Sequence, residues 1–272
     1  MLKEIIKKGV KRVTTPMIRS QVKAMIGMGA MSETDIVFQT IKNNEQTQKI
    51  MVDVGAHHGS SLEPFARKSW TVYAFEPDPE NRKYLQRLCE RFPKVIIDGR
   101  AVSNKSEKNQ DFYRSDVSSG ISSLHAFHPS HEKAFQVETI SLRDLCRHKG
   151  ISSIDFLKID TEGHDIFVLE GVPWESISPE IILCEFEDNK TLKLGYNFFD
   201  MAEFLLEKGY TLLISEWYPI TEYGSKHRWR RFSPYPCELI DKDAWGNIIA
   251  VKNKNTYAHL SSVAGTFAKR FS

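Results

Sequence analysis

From residue 49 to residue 251 the chain alternates short apolar runs with longer stretches of helical periodicity. This alternation restricts the fold more than any other feature. The runs are Ile50–Val54, Thr71–Phe75, 95–97, 154–159, 181–186, 210–215 and 248–251. Most are apolar at successive positions, as strands are when helices cover both faces of a sheet. Strands alternating with helices predict βαβ units, and therefore an α/β domain with a seven-stranded, mostly parallel sheet and helices on both faces. Ligands of such sheets bind beyond the carboxyl ends of the strands.

The intervening segments carry legible helix ends. Asp78 is placed to cap a helix with Pro79 at its first position, and Tyr84, Leu85, Leu88 and Phe92 form its expected buried stripe. Ser141 with Asp144 resembles a capping box, and Gly150 suits the stop of that helix. Asn197 opens a further helix with apolar face Phe198, Met201, Phe204 and Leu205, ended by Gly209.

The expected domain covers residues 46–252, with a helical extension over 1–45 and a tail over 253–272. In residues 1–31, seven Lys and Arg face one acid, Glu4, while apolar residues recur at helical spacing. Such a basic amphipathic helix serves as a peripheral membrane or partner contact, or packs on the domain with a solvated basic face. In the tail, Tyr257, Leu260, Ala264, Phe267 and Phe271 fit a second contact helix or a frayed end.

Charge narrows the partners. With 37 Lys and Arg against 35 Asp and Glu in 272 residues, the net charge is +2, too balanced for extended tracking of a nucleic acid. The four cysteines are widely spaced, without the C-x-x-C pairs of zinc or redox sites. With no apolar run long enough to span a bilayer and no signal-peptide pattern, these features predict a cytoplasmic protein, either free or peripheral to a membrane.

Three motifs stand where predicted strands end. Asp53-Val-Gly55-Ala56-His57-His58-Gly59 follows the first strand, but His57 replaces the middle glycine of a dinucleotide fingerprint. A ligand without a pyrophosphate fits this turn better, with Asp53 available to a ligand ammonium directly or through water. Glu76-Pro77 ends the second strand, where an acid can accept both hydroxyls of a ribose. The third motif runs Lys158-Ile159-Asp160-Thr161-Glu162-Gly163-His164-Asp165, and strand alternation places Lys158 and Asp160 on one face as a pair.

Taken in order, VDVGAHHG, AFEPDPEN, AVSNKSE, the SSL of residues 122–124, FLKIDTEGHDIFVLEG and ILCEFE resemble the FkbM family of S-adenosylmethionine-dependent methyltransferases. The resemblance implies a class I Rossmann-like fold and methyl transfer to a hydroxyl of a sugar, glycan or other small molecule. It further implies that Gly55, Ala56, His57 and Gly59 surround the methionine part of the cofactor and that Glu76 and Pro77 hold the ribose. Ala101 and Val102 would lie by the adenine, with Asp98, Ser123, Asp53 and Asp160 as further cofactor candidates.

A hydroxyl acceptor needs help losing its proton. His164, with an ordinary pKa near 6.5, is one candidate base, with Glu162, Asp160 and Lys158 as associated catalytic groups. Alternatively, Asp160 and Glu185 could hold a divalent cation such as Mg²⁺ in an all-oxygen site. His125, His128 and His131 lack ligand spacing and suit a lid over the acceptor pocket. Residues 226–232 interleave arginines with aromatics in a predicted loop flanked by Tyr218, Tyr223 and Tyr235, a composition suited to a glycan or nucleotide sugar.

Two other functions compete. Enzymes that methylate base amino groups place an Asn/Asp-Pro-Pro-aromatic motif after the fourth strand, where this chain has Asp160-Thr161-Glu162-Gly163. The other is a cofactor-binding but inactive interaction module. The partners expected are a small-molecule or glycan acceptor and no nucleic acid. A membrane or protein contact through residues 1–31 and a homo-oligomer are both compatible with the sequence.

Overall fold

The computed structural model describes residues 31–41, 48–222 and 227–271. The basic segment expected over residues 1–31 lies, but for Met31, outside the described residues, as do Tyr223 and Lys226.

In chain order, α1 (Glu33–Thr40) precedes β1 (Ile50–Val54), α2 (Glu63–Ala66), β2 (Thr71–Phe75), α3 (Pro79–Cys89) and β3 (Val95–Asp98). Four short strands follow: β4 (Ala101–Ser103), β5 (Gln110–Ser115), β6 (His131–Val137) and β7 (Thr139–Ser141). The remainder is α4 (Leu142–Lys149), β8 (Phe156–Ile159), α5 (Asp165–Glu170), β9 (Ile181–Glu187), α6 (Asp188–Thr191), α7 (Phe198–Glu207), β10 (Thr211–Trp217), β11 (Trp229–Pro234), β12 (Trp245–Val251) and α8 (Lys254–Ala268).

The main sheet has the order β11-β10-β12-β9-β8-β1-β2-β3. Strands β1, β2, β3, β8 and β9 are parallel, whereas β12 runs antiparallel to both β9 and β10. The class is the expected Rossmann-like α/β arrangement, but with eight strands in the sheet rather than seven. The added strand is β11, which pairs antiparallel with β10 at the sheet edge where a loop was expected. Its Trp-Arg-Arg-Phe start breaks the apolar pattern by which buried strands are read, and charged side chains are what an edge strand tolerates. The pairs β4–β7 and β5–β6 form two accessory sheets.

Strand alternation divides the core between the two faces. Val52 and Val54 of β1, Leu157 and Ile159 of β8, and Ile182 and Cys184 of β9 enter one cluster. Their neighbours Met51, Phe156, Ile181 and Leu183 enter the other. That second cluster also takes Ile36 and Val37 of α1 with Leu260, Ala264 and Phe267 of α8. Residues on both sides of the expected boundaries at 46 and 252 therefore share one core.

The caps fall where the residues require. Asp78 accepts from the Glu80 N–H, Ser141 from Asp144, and Asn197 forms a full capping box with Asp200. One expected stripe needs correction: Tyr84 is 54% exposed, and α3 buries Asn81, Leu85 and Cys89, spaced one turn apart. The Tyr84 ring instead lies 4.7 Å from that of His58. Among the described residues no helix is long and apolar enough to cross a membrane.

Candidate active site

The parallel strands β1, β2 and β8 end around a cavity of about 730 Å³, within the range of small-molecule sites. Gly55, Ala56, His57, Glu76, Pro77, Ala101, Val102, Ser123, Lys158, Asp160, Glu162 and His164 all line it. One region that no motif had suggested lines it too: Met31, Ser32, Thr34 and Asp35 at the start of α1. The only sequence signal for that region is the Ser32-x-x-Asp35 spacing, in which Ser32 caps the helix through the Asp35 N–H.

The turn after β1 is set by backbone contacts. The Gly55 and Ala56 N–H groups both donate to the Phe75 carbonyl, binding the turn to the end of β2. Gly55 has φ +77, and a Cβ there would sit 1.8 Å from the Asp160 carbonyl oxygen, so only glycine fits. His57 follows at φ 46 and donates its N–H to Glu76 Oε2 at 2.8 Å. Burial, then the nearby His58, lowers the His57 pKa to about 4.

Glu76 is buried, and its other oxygen accepts the Asp78 N–H at 2.9 Å. Each carboxylate oxygen thus holds one backbone donor and retains acceptor capacity. Burial raises its pKa to about 7 despite these two hydrogen bonds. A buried acid on a cavity wall, aligned by backbone and short of donors, suits paired hydroxyls of a ligand.

Asp53 and Lys158 lie beneath this turn. Lys158 Nζ reaches Asp160 Oδ2 at 3.2 Å, Asp53 Oδ1 at 3.4 Å and the Gly55 carbonyl at 3.1 Å. Ser61 donates to the other Asp53 oxygen at 2.6 Å. Burial alone would depress the Lys158 pKa, but the carboxylates of Asp160 and Asp53 raise it. Lys158 is therefore a fixed cation holding the turn, and Asp160, with a side chain 43% exposed, is the member of this group open to a ligand.

Past Asp160, Glu162 adopts φ 56, an uncommon conformation for a residue with a side chain. Ser123 donates to the carbonyls of both Thr161 and Glu162 at 3.1 Å, so its hydroxyl fixes this loop as well as lining the cavity. The Glu162 carboxylate meets Lys190, which no motif had singled out. Lys190 Nζ lies 2.6 Å from Glu162, 3.0 Å from Glu185 and 2.8 Å from Glu187, with its side chain 2% exposed. Burial raises Glu162 to about 7 and Glu185 well above its ordinary value, with Lys190 opposing both shifts.

This geometry bears on the expected cation. Oxygens of Asp160, Glu162 and Glu185 do lie within 4.8 Å of one another. However, the Lys190 ammonium already neutralises Glu162 and Glu185 from within the cluster. A divalent ion would have to displace or crowd a buried positive charge, so the donor set does not fit one. Lys190 escaped notice in the sequence because it belongs to a four-residue helix, too short to show a period.

His164 also departs from expectation. Its Nε2 is 2.9 Å from Ser103 Oγ and its Nδ1 is 2.8 Å from His125 Nε2, so both ring nitrogens are engaged. Burial, then His125, lowers its pKa to about 3. A ring so reluctant to take a proton is a poor base at neutral pH.

His131 meets the Ile121 carbonyl at 2.8 Å and His128 meets Ser130 at 2.7 Å, so these histidines do not converge with His125. Four other expected residues stand off the cavity wall. Asp53 lies below it, Gly59 packs against Leu85 and Leu88 of α3, and Glu185 faces Lys190. Asp98 is not on the wall either, and it is held by Arg100 through paired contacts, including Nη2 to Oδ2 at 2.6 Å.

The profile described as the methyltransferase FkbM domain matches residues 53–212, spanning the glycine turn, Glu76 and the Asp160 loop. The chain is 26% identical over 153 residues to the hexuronic acid methyltransferase AglP of Haloferax volcanii, covering 56% of this chain and 62% of that protein. It is 27% identical over 172 residues to the 2-O-methyltransferase NoeI of Sinorhizobium fredii, covering 56% of this chain and 69% of that protein. Among solved structures, an FkbM methyltransferase from Methylobacillus flagellatus aligns with TM-score 0.45 and 14% identity, covering 79% of this chain and 47% of that one. With a match across more than half its length, the chain belongs to the FkbM-domain methyltransferases.

Proposed function

We propose that the protein transfers a methyl group from S-adenosylmethionine to a hydroxyl of a sugar or glycan, with Glu162 as the proton acceptor. The observation that carries this reading is a single cavity with the Glu76 carboxylate on one wall and Asp160 and Glu162 on another. The similarity to a hexuronic acid methyltransferase and to a 2-O-methyltransferase supports the sugar hydroxyl as acceptor. When bound, the cofactor supplies an electrophilic methyl group on a sulfonium.

The chain's own residues would divide the remaining work. Glu76 accepts the ribose hydroxyls, the Gly55–His57 turn and Asp160 meet the methionine moiety, and Ala101 and Val102 offer an apolar wall to the adenine. Holding both reactants in line supplies much of the rate. Glu162, with a pKa raised to about 7, is poised to take the hydroxyl proton near neutrality. Lys190 keeps that carboxylate in place and stabilises its charged form between turnovers.

Calorimetric titration tests the cofactor assignment. Glu76→Ala removes two charge-assisted hydrogen bonds and should weaken S-adenosylmethionine binding about 100-fold or more. Unaltered affinity in that variant would overturn the assignment. Because the ionised carboxylate is the form that accepts from hydroxyls, wild-type affinity should also fall as pH drops through about 7.

A pH–rate profile tests the base. Turnover should rise with pH through about 7, following Glu162, and collapse in Glu162→Gln. A His164→Gln variant should lose some rate through repacking yet keep the same midpoint, because His164 titrates near 3. A midpoint that moves with His164 would reverse the two roles. Addition of a chelator should leave turnover unchanged, given the ammonium among the acids.

A further inference from the structure

The predicted arginine-aromatic loop is not absorbed by the cofactor site. Its described part belongs to the sheet edge, where Arg228 precedes β11 and donor Tyr218 N–H bonds to the Arg228 carbonyl at 3.0 Å. The guanidinium carbon of Arg228 rests 3.9 Å from the centroid of the Tyr218 ring, and that of Arg230 rests 4.1 Å from the same centroid. Buried Glu216 faces Arg230 and Arg231. It accepts from Arg230 at 3.0 Å, Arg231 at 2.7 Å and the Ile240 N–H at 2.9 Å. Among the described residues no carboxylate pairs with Arg228, which is exposed. Two arginines therefore share the Glu216 carboxylate, while Arg228, which makes no ion pair among the described residues, rests against the Tyr218 ring beside Arg230. Arg228 is thus an exposed guanidinium whose charge no carboxylate among the described residues takes up, and an anion can pair with it.

Topology relates this patch to the reacting centre. Strand β10 runs in the direction of β8 and β9, so Tyr218, just past its end, stands at the same carboxyl edge as Asp160. Between them Trp245 opens β12, in register with Glu187 on one side and Trp217 on the other. Its partly exposed indole donates to the Tyr218 carbonyl at 3.0 Å. Three strand spacings separate β8 from β10, about 14 Å at the usual distance between strands. That separation matches a few linked sugar rings.

We propose that Arg228, braced on Tyr218 beside the Trp245 indole, is a subsite for an anionic sugar ring of an extended glycan acceptor. The methylated hydroxyl would lie a few rings away, at Glu162. This inference rests on the reading of the protein as a glycan methyltransferase. The guanidinium supplies the paired donors that a carboxylate accepts, and the Trp245 indole, which packs against Trp217 and His227, is the partly exposed aromatic between Arg228 and the cavity.

Calorimetry with the full chain and two probes, trigalacturonate and its carboxyl-reduced neutral counterpart, tests the subsite. Wild type should bind the acidic trimer about tenfold more tightly, and Arg228→Gln should abolish the difference. Arg228→Lys should retain only part of it, since an ammonium lacks the planar fork. Equal affinity for both trimers, binding of neither, or discrimination that survives Arg228→Gln would overturn the proposal. A wild-type chain that discriminates between the trimers but fails to bind S-adenosylmethionine would leave the subsite standing and remove the functional reading instead.

Discussion

Replacing Lys190 with methionine is expected to lower folding stability by about 3–5 kcal/mol, the usual effect of removing one partner from a buried ionic group. The magnitude follows from what remains. Glu162, Glu185 and Glu187 would be left facing one another with their shared cation gone. Equilibrium unfolding in urea, read by circular dichroism, measures the loss, and adding Glu187→Gln should recover part of it. A Lys190→Met variant as stable as wild type would show that the cluster is solvated and weakly coupled.

The pH dependence of that loss has a definite sign. Glu162 and Glu185 have folded-state pKa values above those of an unfolded chain, so the folded state binds more protons. Their contribution to stability is fully present below the unfolded value, near 4.3, and declines as pH rises toward about 7 and beyond. Lys190 lowers both pKa values, so its removal raises them further. The variant should therefore be most impaired at alkaline pH and recover on acidification.

The second large effect is expected at Gly55. Alanine there places a methyl group 1.8 Å from the Asp160 carbonyl oxygen, and the backbone at φ +77 is already unfavourable for it. Asp160 cannot step aside cheaply, because its N–H donates to the Val54 carbonyl at 3.0 Å and Lys158 holds its side chain. The turn after β1 must shift instead, carrying with it the His57 N–H that aligns Glu76. A stability loss of about 2–4 kcal/mol and loss of measurable S-adenosylmethionine binding should follow. Gly150→Ala is the matched control: φ is +64 but nothing lies within 4 Å, so the change should cost only about 1 kcal/mol and spare the cofactor. Similar behaviour of the two variants in thermal unfolding and calorimetry would contradict the close approach at Gly55.

Several elements were legible because local chemistry dictates them. Asp78, Ser141 and Asn197 announce helix starts through side chains that can satisfy free N–H groups, and each caps its helix. Both-face apolar runs announce buried strands, and β1 and β2 have the predicted bounds. Strand β11 was hidden because an edge strand need not bury both faces, and β4 and β7 because three residues show no period. Nothing local in the sequence says that Arg100, two residues on, will turn back to take the Asp98 carboxylate.

By itself the sequence determined the alternating α/β architecture, the glycine turn after β1 and the acids that end β2 and β8, since periodicity, backbone freedom and position at a strand end are local properties. Only the tertiary structure decided how those acids behave. It brought Lys190 to three carboxylates, closed His164 between Ser103 and His125, and laid the start of α1 along the cavity. Charge state depends on burial and on partners distant in the chain, and both exist only once the chain has folded.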